Sequence, residues 1–268
     1  MILQWKAEKH AAIGHCIYCG CSCGVLTKEH IIPFTLLPKG GDWYLPRATC
    51  GPCAQITGAF EGRCISAMFD KLRIHLNLKQ RKRTGRKKRT PADIISVKAA
   101  MNDDGSVFET VSVRIADFPM VGLGIRWPLP GILRGEAPSE LLVGEQVTRE
   151  REGDIKKFAR PGKGMHIGKI TPYDLALMLA KIARAYAVAR EIAFKPFLPD
   201  LILGKYNKYA YLIGGDTLSP LEEQPTVVHH VHPGEVNVNG VTYLVVSIRL
   251  FAFMGLPRYL VVVGEATP

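Results

Sequence analysis

This chain of 268 residues lacks both a signal-peptide pattern and an uncharged apolar run long enough to span a membrane, which argues against a secreted protein and against a membrane protein. The N-terminal stretch MILQWKAEKH lacks an apolar run of the length that a signal peptide requires. The most apolar helical stretch, residues 175–189, is interrupted by Lys181 and Arg184, so it falls short of the roughly 18 uncharged residues of a membrane span. We therefore expect a soluble, cytoplasmic protein with no membrane partner.

Cysteine is absent after residue 64, and all seven cysteines lie between residues 16 and 64. Their odd number and close grouping favour an intracellular metal site over a disulfide framework. Two Cys-x-x-Cys pairs, separated by thirty residues, supply the four thiolates that a closed tetrahedral zinc site needs. The predicted structural zinc ligands are Cys16, Cys19, Cys50 and Cys53.

Three further cysteines leave alternatives open. Cys21 and Cys23 follow the first pair so closely that the ligand set can shift by two residues. Cys64 fits better as a small apolar residue on a helix. Redox activity of a Cys-x-x-Cys pair is the competing interpretation, although no βαβ pattern surrounds either pair.

Acidic residues are absent from KQRKRTGRKKRT, residues 79–90, which we call the basic arm. Residues 1–100 hold 17 Lys and Arg against 6 Asp and Glu, whereas residues 101–268 hold 18 of each, so the first hundred residues carry the whole net charge of +11. Binding of such a block to a polyanion is favourable because it releases the counterions condensed on the polyanion. A solvated linker and a nuclear-import signal are the alternatives. The predicted nucleic-acid contacts are Lys79, Arg81, Lys82, Arg83, Arg86, Lys87, Lys88 and Arg89.

The stretch KEHIIPF, which contains Glu29 and His30, lies between the two cysteine pairs. GVLTKEHII is typical of a short β-strand that Pro33 ends, and the residues from CGPC to about Leu76 follow a helical pattern. The predicted unit is a cysteine knuckle, a β-hairpin, a second knuckle and a helix. Glu61 lies on the helical face that looks back at the hairpin.

Paired C-x2-C motifs framing EHIIP, with the second pair opening a helix, resemble the zinc-containing branch of the HNH endonuclease family over about residues 16–64. The resemblance implies a ββα-metal fold and a metal-dependent endonuclease that hydrolyses phosphodiester bonds in DNA, with RNA not excluded as a partner. His30 matches the family's general base. Glu29 matches the acidic position that helps to hold a catalytic magnesium or manganese ion, and the four cysteines match the structural zinc ligands.

The chemistry of the pair agrees with this resemblance. Imidazole accepts a proton near neutral pH, and magnesium prefers carboxylate and phosphate oxygens. Neighbouring residues on a regular strand face opposite sides, so Glu29 and His30 serve one site only if the strand bends.

Two positions depart from the family pattern. Ala54 stands where many members place a metal-binding Asn, and the middle Asn of the family is missing, with Asp42 as its candidate loop-capping replacement or a simple turn residue. Glu61 is our candidate to complete the shell of the catalytic cation. The alternative function is a zinc-stapled nucleic-acid-binding protein without cleavage activity.

The rest of the chain indicates an α+β fold. Residues 91–150 contain strand-like stretches, residues 171–194 form the clearest helical pattern, and the C-terminal stretch predicts three strands with an Asn239-Gly240 turn between two of them. His230 and His232 share one strand face and are ordinary strand histidines or metal ligands.

We therefore predict an α+β protein in three parts. Residues 1–78 form a zinc-stapled ββα-metal (HNH) domain, residues 79–90 form the basic arm, and residues 91–268 form an α+β domain of antiparallel sheet plus helix. The last part has no net charge, and we expect it to dock a protein partner, to set target preference or to mediate self-association.

Overall fold

A computed structural model describes residues 8–22, 24–79, 94–101, 107–114, 117–151, 168–215 and 227–267, with the backbone alone for 94–101 and 107–113. The fold is mixed α+β, with several small sheets and few helices, as the sequence indicates. In the described part of the chain, no helix combines the length and the apolar character that crossing a membrane requires.

The N-terminal part contains a small three-stranded sheet. Strands β1 (Glu8–Lys9), β2 (Thr27–His30) and β3 (Trp43–Thr49) are arranged in the order β1-β3-β2, and β2 and β3 are antiparallel. In β3, Trp43 and Leu45 are buried while Tyr44 between them is partly exposed, so one face of the sheet covers the core.

The predicted helix from CGPC onward is interrupted. Helix α1 (Gly51–Cys64) runs through a π-helical turn (Ile65–Phe69) into α2 (Asp70–His75). Of the predicted apolar stripe, Phe60, Cys64, Met68 and Leu72 are buried, but Ile56 is 41% exposed. A repeat of four residues drifts by about 40° per step around an α-helix, so the first member of the stripe turns away from the face that the later members bury.

The C-terminal part contains the three predicted strands, β10 (His229–Val238), β11 (Val241–Leu250) and β12 (Arg258–Ala266), which pair in order as an antiparallel sheet. Asn239 and Gly240 both adopt positive φ, 52° and 83°, as a tight turn between twisted strands requires.

Shorter elements complete the structure. Strands β8 (Phe194–Pro196) and β9 (Ile213–Gly215) both pair with β12. Strands β4 (Ile94–Met101) and β5 (Val107–Arg114) form one hairpin, and β6 (Met120–Arg126) pairs with β7 (Glu145–Arg151). Two short helices are α4 (Leu198–Ile202) and α5 (Tyr209–Leu212).

Helix α3 (Pro172–Ala189) lies at the centre of the fold, with eleven buried residues. It ends before the predicted limit of residue 194, because Glu191 has a positive φ of 53° and the chain then enters β8. Helix α3 packs against α1 on one side and against β11 and β12 on the other. One continuous core therefore includes residues from both sides of the basic arm.

Candidate metal centre and hairpin site

The four predicted ligand cysteines come together. The sulfur atoms of Cys16, Cys19, Cys50 and Cys53 all lie within 4.8 Å of one another. The distance from Cys19 Sγ to Cys50 Sγ is 3.7 Å. With zinc–sulfur bonds of about 2.3 Å, a tetrahedral site requires sulfur atoms about 3.8 Å apart. The group can thus hold a structural metal such as zinc.

Local backbone structure positions both pairs. In the first knuckle, the Cys16 amide donates to the Cys21 carbonyl over 2.8 Å, and Gly20 closes the turn with a positive φ of 73°. In the second, Cys50 is the N-cap residue of α1. Helix N-termini favour the thiolate form of cysteine, which is the form that binds a metal.

Of the three further cysteines, the structure describes two, Cys21 and Cys64. Cys21 lies outside the group of four, and Cys23 lies outside the described residues. Cys64 is fully buried on α1 as a free thiol, as predicted, and burial raises its pKa.

Cys16 is prepared for metal binding. Burial acts to raise the pKa of its thiol, but hydrogen bonds from the backbone amides of Cys19, Cys50 and Tyr18 lower the pKa to about 6. Burial raises the pKa of the Cys53 thiol, and a bound metal would favour its thiolate form.

The two predicted catalytic carboxylates, Glu29 and Glu61, also come together, and Lys181 of α3 lies between them. The Lys181 Nζ is 2.8 Å from Glu29 Oε1 and 2.9 Å from Glu61 Oε1. The same ammonium donates to the His30 carbonyl. The exposed fractions are 5% for Glu29, 8% for Glu61 and 1% for Lys181. We call these three residues the lysine–glutamate cluster.

The ammonium of Lys181 remains charged. Burial acts to lower the pKa of Lys181, but the charges of Glu29 and Glu61 outweigh it and raise that pKa. Burial raises the pKa of Glu29, and the nearby ammonium partly offsets this rise. The buried Tyr18 phenol beside the two acids also has a raised pKa and stays neutral. A monovalent cation that belongs to the protein therefore lies where the sequence predicts a divalent one.

The side chains of Glu29 and His30 separate. Glu29 faces the core, whereas the His30 Nε2 is 3.4 Å from Asp42 Oδ1 on the other side of β2. Although the β2–β3 register shifts between Thr27 and Glu29, the two side chains still alternate. Asp42, which the sequence predicts as a loop-capping or turn residue, lies next to His30 and is 4.0 Å from Lys79 Nζ.

Two aromatic rings, those of Phe34 and Tyr44, lie next to the His30 ring. Its ring centroid is 5.3 Å from that of Phe34 and 5.8 Å from that of Tyr44. The Lys28 ammonium lies 4.8 Å from the Tyr44 centroid, and the Lys79 ammonium lies 4.6 Å from the Phe34 centroid. These five residues form what we call the outer hairpin face.

The remaining predicted site residues have simpler placements. Lys79 is the one member of the basic arm within the described residues, and the arm positions 81–89 lie outside them. The rings of His230 and His232 stack with centroids 6.1 Å apart. Among the described residues, the four cysteines are the one group of three or more potential metal ligands, so this histidine pair is not part of such a group.

Lys181 is a site residue that the sequence patterns did not predict. A signal was present, because Lys181 interrupts a helix that is apolar on almost every side, and a lysine is seldom buried unless it is paired. This requirement for a buried anionic partner points to the two acids in the N-terminal part.

Fold and site together define a mixed α+β protein with a four-cysteine centre that can hold a structural metal. Comparison with known proteins adds no relative, since no protein-family model matches the chain and neither the curated proteins nor the solved structures contain a match.

Proposed function

We propose that this chain is a zinc-stapled nucleic-acid-binding protein, built on an HNH-like hairpin and helix, in which a lysine has replaced the catalytic cation. The observation that carries the proposal is the position of the Lys181 ammonium, within 2.9 Å of both carboxylates that the resemblance assigns to the catalytic metal.

Electrostatics explains why the ammonium excludes a divalent ion. A magnesium ion placed between Glu29 and Glu61 would lie within about 3 Å of a buried positive charge in a region of low dielectric, where like charges repel strongly.

The charge of the chain supports nucleic acid as the ligand. The basic arm starts at Lys79, whose ammonium lies against the outer hairpin face. Eight positive charges in twelve residues favour phosphate contacts that depend on salt and not on sequence.

Binding is tested by fluorescence anisotropy of labelled DNA and RNA at several salt concentrations. We expect glutamine at the seven arm positions from Arg81 to Arg89 to weaken binding of all sequences similarly. The plot of log affinity against log salt should become shallower by about 0.7–0.9 for each phosphate that the arm no longer neutralises. A wild-type protein that binds neither DNA nor RNA would contradict the proposal.

A second candidate is a metal-dependent endonuclease in which His30 is the general base. It is favoured by the proximity of Asp42 Oδ1 to His30 Nε2, at 3.4 Å, because a carboxylate within reach of an imidazole can come to orient it as a general base. In this case the divalent ion would bind with the substrate on the His30 side of the strand, away from the lysine–glutamate cluster.

A plasmid nicking assay with magnesium or manganese separates the two candidates. The proposed binder leaves the plasmid intact at concentrations that retard it on a gel. Nicking by the wild-type protein that disappears in His30→Ala, with zinc content unchanged, would establish the endonuclease instead.

A further inference from the structure

The outer hairpin face combines rings and positive charges on one side of a small sheet. The rings of Phe34, His30 and Tyr44 form a row, with interplanar angles of 59° and 58° between neighbours. Lys79 lies at the Phe34 end of this row and Lys28 at the Tyr44 end. All three rings are partly exposed, and β2 is an edge strand of its sheet in the described part of the chain.

This arrangement matches the chemistry of unpaired nucleotides. Nucleobases stack on partly exposed aromatic side chains, and ammonium groups at the rim of such a platform reach the phosphates. In a duplex, the faces of the bases are already covered by their neighbours in the stack. A ring platform on a sheet therefore recognises single strands and not duplexes.

The two lysines differ in how firmly they are held. Lys28 is exposed, and its ammonium covers one face of the Tyr44 ring. Lys79 is only 16% exposed in its side chain and also lies 4.0 Å from Asp42. The Lys28 ammonium is thus the one that a ligand can displace.

Base stacking on Tyr44 is stronger than the cation–π contact of Lys28, and this difference favours displacement of the ammonium by a base. A cation over an exposed ring contributes about 2- to 5-fold to an equilibrium constant, whereas a base stacked on an aromatic side chain contributes about 5- to 150-fold. A base can therefore take the place of the Lys28 ammonium over Tyr44, and the ammonium becomes free to contact a phosphate.

We propose that the outer hairpin face binds single-stranded nucleic acid, with Tyr44 as the stacking residue and Lys28 as a phosphate contact. This inference rests on the proposed function and names its ligand class. The charge of Asp42 is the unfavourable element on this face, and the Lys79 ammonium, 4.0 Å away, reduces its repulsion of phosphate. The basic arm continues from Lys79, so it extends the positive charge beyond the Phe34 end of the row.

The test compares a labelled single-stranded oligonucleotide with the duplex of the same length by fluorescence anisotropy, using the full-length zinc-loaded protein. We expect Tyr44→Leu to weaken single-strand binding about 5- to 150-fold and to leave duplex binding unchanged. The matched control Tyr44→Phe keeps the ring face and should bind like the wild type. Lys28→Ala, at an exposed position, should make the salt dependence for single strands shallower by about 0.7.

Three results of this comparison would overturn the inference, and one of them also overturns the proposed function. If the wild-type protein binds nucleic acid but Tyr44→Leu weakens single-strand and duplex binding equally, or weakens neither, the stacking role is wrong and the binding function stands. If the wild type binds neither form, both proposals are wrong.

A second measurement needs no variant at Tyr44 and is decisive if Tyr44→Leu does not fold. Ultraviolet crosslinking of a 5-bromouridine oligonucleotide to the wild-type protein should attach the nucleotide to the segment of residues 28–44, as identified by mass spectrometry. Crosslinks that fall only elsewhere in the chain would also overturn the inference.

Discussion

Replacing Lys181 by methionine tests whether this ammonium has the place of the catalytic cation. The change keeps most of the side-chain volume and removes the charge, so Glu29 and Glu61 face each other without a counterion. Breaking a buried ion pair by removing one partner costs about 3–5 kcal/mol. For a chain of this size, such a loss lowers the melting temperature by about 6–20 °C.

The stability that Lys181→Met loses should be partly recovered at lower pH. Without the ammonium, nothing offsets the rise that burial causes in the pKa of Glu29 above its ordinary value of about 4.3, so the folded variant binds more protons than its unfolded state. Folding of Lys181→Met therefore becomes more favourable as the pH falls from 7 toward 5. Thermal unfolding followed by circular dichroism at several pH values measures this recovery.

Manganese provides the sharper measurement. In Lys181→Met the two carboxylates are free to bind a divalent ion, and a ligand at 100 times its dissociation constant stabilises the folded state by about 2.7 kcal/mol. We expect manganese to raise the melting temperature of Lys181→Met but not that of the wild type. The matched control combines Lys181→Met with Glu29→Gln and Glu61→Gln. It should recover much of the lost stability, and manganese should leave its melting temperature unchanged. If the wild type gains as much stability from manganese as the variant does, Lys181 does not have the place of a divalent cation.

Two further predictions concern other parts of the fold. Cys53→Ser should lose bound zinc and unfold near room temperature, whereas Cys64→Ala, which removes a cysteine outside the centre, should keep one zinc per chain by elemental analysis. Burial lowers the pKa of His229 to about 4, and its Nε2 contacts the Leu36 carbonyl at 2.9 Å. Since the unfolded state takes up this proton first, the wild type should lose about 2–3 kcal/mol relative to His229→Gln between pH 7 and pH 4.5 in denaturant titrations. Parallel pH curves for the two proteins would contradict this.

Local patterns predicted much of the structure because they depend on short-range physics. The spacing of the cysteine pairs, the strand before Pro33 and the Asn239-Gly240 turn are each determined by a few neighbouring residues, and each is present. The prediction of the extent of helix α3 was less accurate. The helix ends at Ala189 because Glu191 adopts a positive φ, which composition does not reveal.

Long-range contacts were harder to predict. The lysine–glutamate cluster joins positions 29, 61 and 181, and no periodicity relates residues so far apart. The sequence indicated that Glu61 looks back at the hairpin, but it did not show that a helix more than a hundred residues later completes the same cluster. Likewise, the proximity of Asp42 to His30 follows from the path of the hairpin and not from either residue type.

Two charged residues of α3, one turn apart, connect the C-terminal part of the chain to the N-terminal site. Lys181 contacts Glu29 and Glu61, and Arg184 Nε donates to the Ile17 carbonyl in the first cysteine knuckle over 3.1 Å. The face of the hairpin that carries Glu29 therefore packs against α3 and contributes to the core. Its neighbour in sequence, His30, faces the opposite side, where the exposed Lys28 and the start of the basic arm also lie. Because Lys181 of α3 occupies the Glu29 side of β2, the His30 side is the one on which we expect a nucleic acid to bind, whether it is only held there or also cleaved.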